Sequence, residues 1–129
     1  MKKIIEIKTD KAPQVAGHYS QAIETGGFVF VSGQIAINYK TGVFKKENKI
    51  DMQVKIVLNN IRNILEECEL KLEDVVKTEI FLSKIEDFKI VNEIYAKYFI
   101  KNPKPARQTV EVSGLPLNAK IEISCIAKK

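Results

Sequence analysis

The chain has 129 residues, 45% of them hydrophobic, enough for one domain spanning residues 1–129 with a packed core. It carries 21 basic and 16 acidic side chains, a formal net charge of +5, with one histidine and two cysteines. A single histidine excludes a two-histidine metal site within the chain and leaves a Ser-His-Asp triad only His18 to use. In chain order, Lys3 to Ile7 reads as a first strand, and Thr9 to Gly17, with Pro13, as a loop. Tyr19 to Glu24 and Phe28 to Ser32 read as hairpin arms joined at Thr25-Gly26-Gly27, because two glycines tolerate the positive φ of a tight turn. The second arm continues to Ile37, and Asn38 to Gly42 is turn chemistry.

Asp51 to Glu69 predicts a helix with Asp51 as its N-cap. Its stripe is Val54, Val57, Leu58, Ile61, Ile64, Leu65 and Cys68, recurring at three and four residues. After a short loop at Leu72, Val75 to Leu82 alternates as a strand, with Val76, Thr78, Ile80 and Leu82 on one face. Ser83-Lys84-Ile85-Glu86 matches a capping box for a second helix running to about Lys101. Its stripe is Phe88, Val91, Tyr95, Tyr98 and Phe99, and Asn92 falls inside it. An amide on an apolar face needs partners, so Asn92 either ties the helix to a loop or lines a site.

Asn102-Pro103-Lys104-Pro105 ends the second helix. Arg107 to Val112 and Lys120 to Ala127 predict two more strands, joined by a turn around Gly114 and Pro116. Arg107, Thr109 and Glu111 share one face of the first. In the last, Glu122, Ser124 and Ile126 oppose Ile121, Ile123 and Cys125, so Arg107 and Glu122 both sit on polar faces. The order predicts an α+β two-layer domain: a mostly antiparallel or mixed six-stranded sheet with two helices on one face. The uncovered face, with Phe81, Thr109 and Ile126 among polar groups, is expected to meet another subunit rather than water.

Nineteen lysines and two arginines, Arg62 and Arg107, supply the positive charge. Arg107 follows Lys104-Pro105-Ala106 and opens a strand. A guanidinium there suits bidentate capture of a carboxylate or phosphate, the alternative being a surface salt bridge. The lysines are scattered among acidic residues with no basic run or aromatic interleaving, so a nucleic-acid partner is not expected. No GxGxxG, P-loop or nucleophile elbow is present. Cys68 and Cys125 match no metal or redox spacing and are expected to be buried free thiols. No run of 18 apolar residues is present, so no membrane span is expected, and Met1-Lys2-Lys3-Ile4-Ile5-Glu6 lacks the apolar region of a signal peptide. The expected location is the cytoplasm. Any chemistry then draws on Arg, Glu, Asp, Tyr, Asn, Ser and the backbone.

Across nearly its whole length the chain resembles the RidA/YjgF family of reactive-intermediate (imine/enamine) deaminases. The resemblance is carried by the joint order and spacing of several stretches. They include residues 16–22 (Ala-Gly-His-Tyr-Ser-Gln-Ala), 31–35 (Val-Ser-Gly-Gln-Ile), 72–77 (Leu-Glu-Asp-Val-Val-Lys), Asp87-Phe88 with Val91-Asn92, Pro105-Ala106-Arg107, Val110-Glu111-Val112, Leu115-Pro116 and residues 120–123 (Lys-Ile-Glu-Ile). It implies a chorismate-mutase-like fold and a homotrimer whose sheets form a central barrel, with a site at each subunit interface. It implies hydrolysis of 2-imino acids to 2-oxo acids and ammonia with no metal or organic cofactor. On that pattern Arg107 would bind the substrate carboxylate, Glu122 would orient or activate water, and Tyr19 and Asn92 would shape and hydrogen-bond the site. Ser32 and Gly33 would line it, and the Thr109 backbone would contact the imine end. Ribonuclease or translation-inhibitor activity, attributed to some members, and carboxylate binding without turnover are the alternatives.

Four positions depart from the pattern: His18 for a proline, Thr109 for a cysteine of some members, Ser124 for a second glutamate, and Glu69 for a glycine after the first helix. If that last position needs a left-handed backbone, glutamate costs roughly 1–2 kcal/mol there.

Overall fold

The computed structural model describes residues 2–129. Strands β1 (Ile5–Ile7), β2 (Ala22–Thr25) and β3 (Phe28–Gln34) precede a two-stranded hairpin, β4 (Ile37–Asn38) and β5 (Val43–Phe44). Then follow α1 (Ile50–Glu67), β6 (Val75–Leu82), α2 (Phe88–Tyr98), β7 (Ala106–Glu111) and β8 (Ile121–Lys128). The six long-range strands pair in the order β1-β2-β3-β8-β6-β7, and β6 with β7 is the parallel pair. Both helices pack on one face, as the α+β reading predicts. The whole predicted stripe of α1, Val54 through Cys68, is buried, against Val29, Val31, Ile80, Ile121 and Ile123 of the sheet. Tyr95 of α2 reaches the same layer, its hydroxyl 2.8 Å from Thr78 Oγ1 on β6. The Gly-Gly turn is as expected: Gly26 and Gly27 have φ of 59° and 82°, and Thr25 pairs with Phe28 across it. Both cysteines are buried and free, and burial pushes the Cys125 thiol up to about 12. Among the described residues, no helix is long and apolar enough to cross a membrane.

Several local expectations yield to longer-range partners. Tyr19 lies in a loop, because pairing with β3 begins only at Ala22. The second hairpin arm breaks at Gln34, and Ile37 pairs in the small hairpin instead. Lys49, not Asp51, holds the N-cap position of α1; Asp51 sits in the first turn, where its charge favours the helix dipole. The Ser83 capping box does not form. A 3-10 turn over Ile85–Asp87 precedes α2, and Glu111 Oε1, from β7, accepts the Ile85 N–H at 2.8 Å. The helix then ends at Tyr98, where Phe99 leaves helical geometry. A register shift between Val75 and Lys77 turns Val76 outward, so Val75 rather than Val76 joins the buried face of β6.

The glutamate after α1 does occupy a left-handed position. Glu69 has φ of 63°, and the next amide, Leu70 N–H, closes back on the Leu65 carbonyl at 2.9 Å. A side chain is strained there, so Glu69→Gly is expected to raise stability by about 0.5–1 kcal/mol, the relief being partly offset by glycine's greater unfolded-state freedom. Thermal melts of the two proteins measure it, and a lower midpoint for the glycine variant contradicts it.

Candidate active site

Pairing in the sheet decides where the predicted residues point. In the parallel β6–β7 ladder, Thr78, Ile80 and Leu82 align with Arg107, Thr109 and Glu111. Aligned residues share a face, and those three β6 residues face the helices. Arg107 therefore lies on the helix side, at the sheet edge. Its guanidinium carbon is 4.9 Å from the centre of the Tyr95 ring and 5.3 Å from that of Phe88. Nη1 donates to Asn92 Oδ1 at 2.8 Å. No carboxylate comes within 4.0 Å of it among the described residues. Two rings and a neutral amide thus orient the cation without neutralising it. Of the two readings for Asn92, it lines a cleft of about 400 Å³ with Arg107, Tyr95 and Lys104. Thr109 shares a second, shallow cleft with Arg107, Ile85 and Phe88, and its buried Oγ1 has no hydrogen-bond partner among the described residues.

Glu122 lies on the other face. It pairs with Phe81, and its neighbours Ile121 and Ile123 fill the core. It lines a separate cleft of about 300 Å³ with Tyr19, Gly33, Val15, Ile35 and Leu117. Burial raises the proton affinity of its carboxyl above the ordinary value of 4.5. The expectation that Arg107 and Glu122 occupy equivalent faces is therefore corrected: one chain holds them on opposite sides of its sheet. Thr109 likewise leaves the uncovered face, while Phe81, Phe30 and Ile126 remain on it. Ser32 does not reach the cleft lining. Its hydroxyl donates to the Ser20 carbonyl at 2.6 Å and so ties down the loop that carries Tyr19. No group of three or more His, Cys, Asp or Glu residues is placed to hold a metal ion among the described residues.

The sequence model of the Endoribonuclease L-PSP family matches residues 9–129. A RutC family protein of Aquifex aeolicus is 50% identical over 125 residues, covering 96% of this chain and 98% of the relative. The chloroplastic Reactive Intermediate Deaminase A of Arabidopsis thaliana is 50% identical over 121 residues, 94% of this chain and 64% of that longer protein. A crystal structure of a Rid-family protein of unknown function from Yersinia pestis superposes with a TM-score of 0.95 at 44% identity, covering 98% of this chain and 100% of that one. The chain belongs to the RidA/YjgF family.

Within this RidA/YjgF chain, two features of the Glu122 cleft escape a reading by residue type. Gln21 is buried, accepting the Thr9 N–H at 2.7 Å and donating to the Thr9 and Pro13 carbonyls, so it clamps the loop bordering the cleft. A glutamine next to a strand carries no sequence signal for that role. The second feature is Gly33. A Cβ there would lie 2.8 Å from Glu122 Cδ and Oε2. Glycine leaves the space in which the carboxylate lies across β3. The far end of Glu122 can swing, so Gly33→Ala is expected to fold with a nearly unchanged melting temperature. If Glu122 activates water as the family resemblance implies, a displacement of about 1 Å at its carboxylate is expected to lower kcat roughly 10²-fold, with KM less affected. Steady-state kinetics beside a melting curve separate the two effects, and an unchanged kcat would show that the carboxylate's position is unimportant.

Proposed function

We propose that the protein is a 2-imino acid deaminase, hydrolysing 2-iminobutanoate and 2-iminopropanoate to 2-oxo acids and ammonia. The observation that carries this reading is the Arg107 guanidinium, held by Asn92 and two aromatic rings and without a carboxylate within 4.0 Å among the described residues. A small planar anion is the ligand such a fork fits best. Because Arg107 and Glu122 face opposite ways in one chain, a site using both needs two copies. We assign the sites to the interfaces of a homotrimer whose apolar sheet faces, with Phe28, Phe30 and Ile126, meet in a central barrel.

In the proposed reaction, Arg107 fixes the substrate carboxylate in plane. Glu122 of a second copy takes a proton from water as the oxygen adds to the imine carbon. The nitrogen gains a proton, giving a carbinolamine. Its collapse forms the 2-oxo group, breaks the C–N bond and releases ammonia, with the proton balance restored through Glu122. Tyr19 and Asn92 hold the polar ends, and the Thr109 backbone lies beside the imine end. Imines are reactive enough that positioning and one base, worth about 10²–10⁴-fold, suffice. The family model's description invites an RNA-cleaving reading. That chemistry asks for a general acid-base pair at the phosphate, and His18, the sole histidine, lines neither the Arg107 clefts nor the Glu122 cleft.

The test mixes two inactive proteins. Arg107→Ala and Glu122→Gln are unfolded separately, combined in equal amounts and refolded. In a ring built from residues of adjacent copies, about one site in four regains both groups. Clearance of 2-iminobutanoate, made by a threonine dehydratase and followed by semicarbazide trapping, should recover to about that fraction. A mixture no better than its components would sink the shared site. Binding of 2-oxobutyrate without faster imine clearance by the wild type would make the protein a carboxylate-binding module instead.

A further inference from the structure

The chain's other arginine repeats the arrangement of the first. The Arg62 guanidinium carbon stands 5.1 Å from the centre of the Tyr98 ring, and Nη1 donates to an amide oxygen, Asn59 Oδ1, at 3.1 Å. As with Arg107, no carboxylate lies within 4.0 Å among the described residues. The chain thus has two guanidiniums, each on a tyrosine of α2, each oriented by an asparagine and neither neutralised. Arg62 borders a cleft of about 200 Å³ between α1 and residues 99–105. Lys71 and Lys101 add positive charge at its edge against the single carboxylate of Glu73, and Leu72, Val75 and Phe99 give it an apolar floor. The volume is below the roughly 300–1,000 Å³ of sites for drug-sized ligands, which limits the occupant to a small molecule.

This cleft shares two walls, Phe99 and Pro105, with the cleft lined by Arg107 and Asn92. Phe99 stacks on Tyr95 with ring centres 4.3 Å apart, and Tyr95 carries Arg107 on its ring. A ligand pressing on Phe99 therefore acts on the residue that orients Arg107. We propose that the Arg62 cleft is a second anion site, taking a small carboxylate with a flat apolar body, and that its occupancy alters ligand affinity at Arg107 through Phe99 and Tyr95. The binding claim stands apart from imine hydrolysis; the coupling requires only that Arg107 bind a 2-oxo acid.

Benzoate is the probe, titrated into the full-length ¹⁵N-labelled protein with amide shifts followed by NMR. Saturable shifts are expected at residues 62, 71–73 and 98–101, in the wild type and in Arg107→Ala alike. Arg62→Gln, with its melting temperature checked, should lose them, and Lys101→Gln should weaken them. Inorganic phosphate should bind several-fold more weakly, for want of an apolar body. Saturating benzoate should change the Kd of 2-oxobutyrate several-fold in the wild type but not in Arg62→Gln, which separates coupling from competition at Arg107, and 2-oxobutyrate should change that of benzoate at the Arg62 cleft by the same factor. Shifts confined to the Arg107 cleft, or undiminished in Arg62→Gln, overturn the site. Equal binding of phosphate overturns the ligand class, and an unchanged 2-oxobutyrate Kd overturns the coupling.

Discussion

Arg107→Ala is expected to lower kcat/KM for 2-iminobutanoate by about 10²–10⁴-fold, since each charge-assisted hydrogen bond of a bidentate pair is worth about 1.5–3 kcal/mol. Part of the loss should appear in kcat, because a substrate whose carboxylate is not held also presents its imine carbon at the wrong angle. Stability should fall by no more than about 1.5–3 kcal/mol, less than the loss in transition-state binding. The side chain is exposed, and what it gives up is one bond to Asn92 and two ring contacts, each worth about 0.5–1 kcal/mol at an exposed site. Arg107→Lys should recover only a small part of the activity, since an ammonium keeps the charge but not the fork. Asn92→Asp offers a second check. A carboxylate 2.8 Å from the guanidinium would pair with it and compete with substrate, raising KM while the arginine stays in place. Coupled-assay kinetics with semicarbazide trapping measure all three. Wild-type clearance by Arg107→Ala would remove the basis for the deaminase reading.

The placement of Arg107 also shows where a sequence stops being informative. The stripe of α1 is legible because one face is buried and the other wet, so period and burial coincide from Val54 to Cys68. The same holds for β8, where Ile121, Ile123 and Cys125 alternate with half-buried residues. Strand β7 offers no such contrast, being at the sheet edge and exposed or half-exposed throughout. Alternation groups Arg107 with Thr109 and Glu111 but cannot say which side of the sheet they take. That is set by the parallel register with β6, between residues 29 apart such as Thr78 and Arg107. Non-local partners also explain the capping box that failed: Glu111 reaches Ile85 from 26 positions away. Arg107 and Asn92 stand out in the sequence itself, one of only two arginines and an amide inside an apolar stripe; the roles of Tyr19 and Glu122 came from family resemblance, whereas Tyr95 and Phe88 read only as packing. Their second role, as the surface on which Arg107 rests, depends on a helix and a strand meeting in space.

Glu122→Gln is expected to abolish most activity, by about 10²–10⁴-fold, and to raise stability at neutral pH. Both follow from one cause. The Glu122 carboxyl is half-buried, and burial raises its proton affinity. No cation lies within 4.0 Å of it among the described residues to offset that cost. A carboxyl whose folded pKa exceeds its unfolded one binds more protons when folded. The destabilisation from burying its anion is absent below the unfolded pKa and grows as pH rises to the folded pKa, above which it is complete. Glutamine, isosteric and uncharged, removes that destabilisation. The melting temperature of Glu122→Gln should therefore exceed that of the wild type near neutral pH, and the gap should close as pH falls to the ordinary carboxylate value of 4.5. Catalysis has the opposite requirement. Water activation needs the ionised form, so wild-type kcat/KM should fall on acidification at a pH above that ordinary value. Melting curves and pH–rate profiles on the same preparations test the pair of signs. A glutamine variant that is inactive and also less stable at neutral pH would make Glu122 a structural group whose charge the fold needs. One that is more stable and inactive is what a base held against its own solvation predicts.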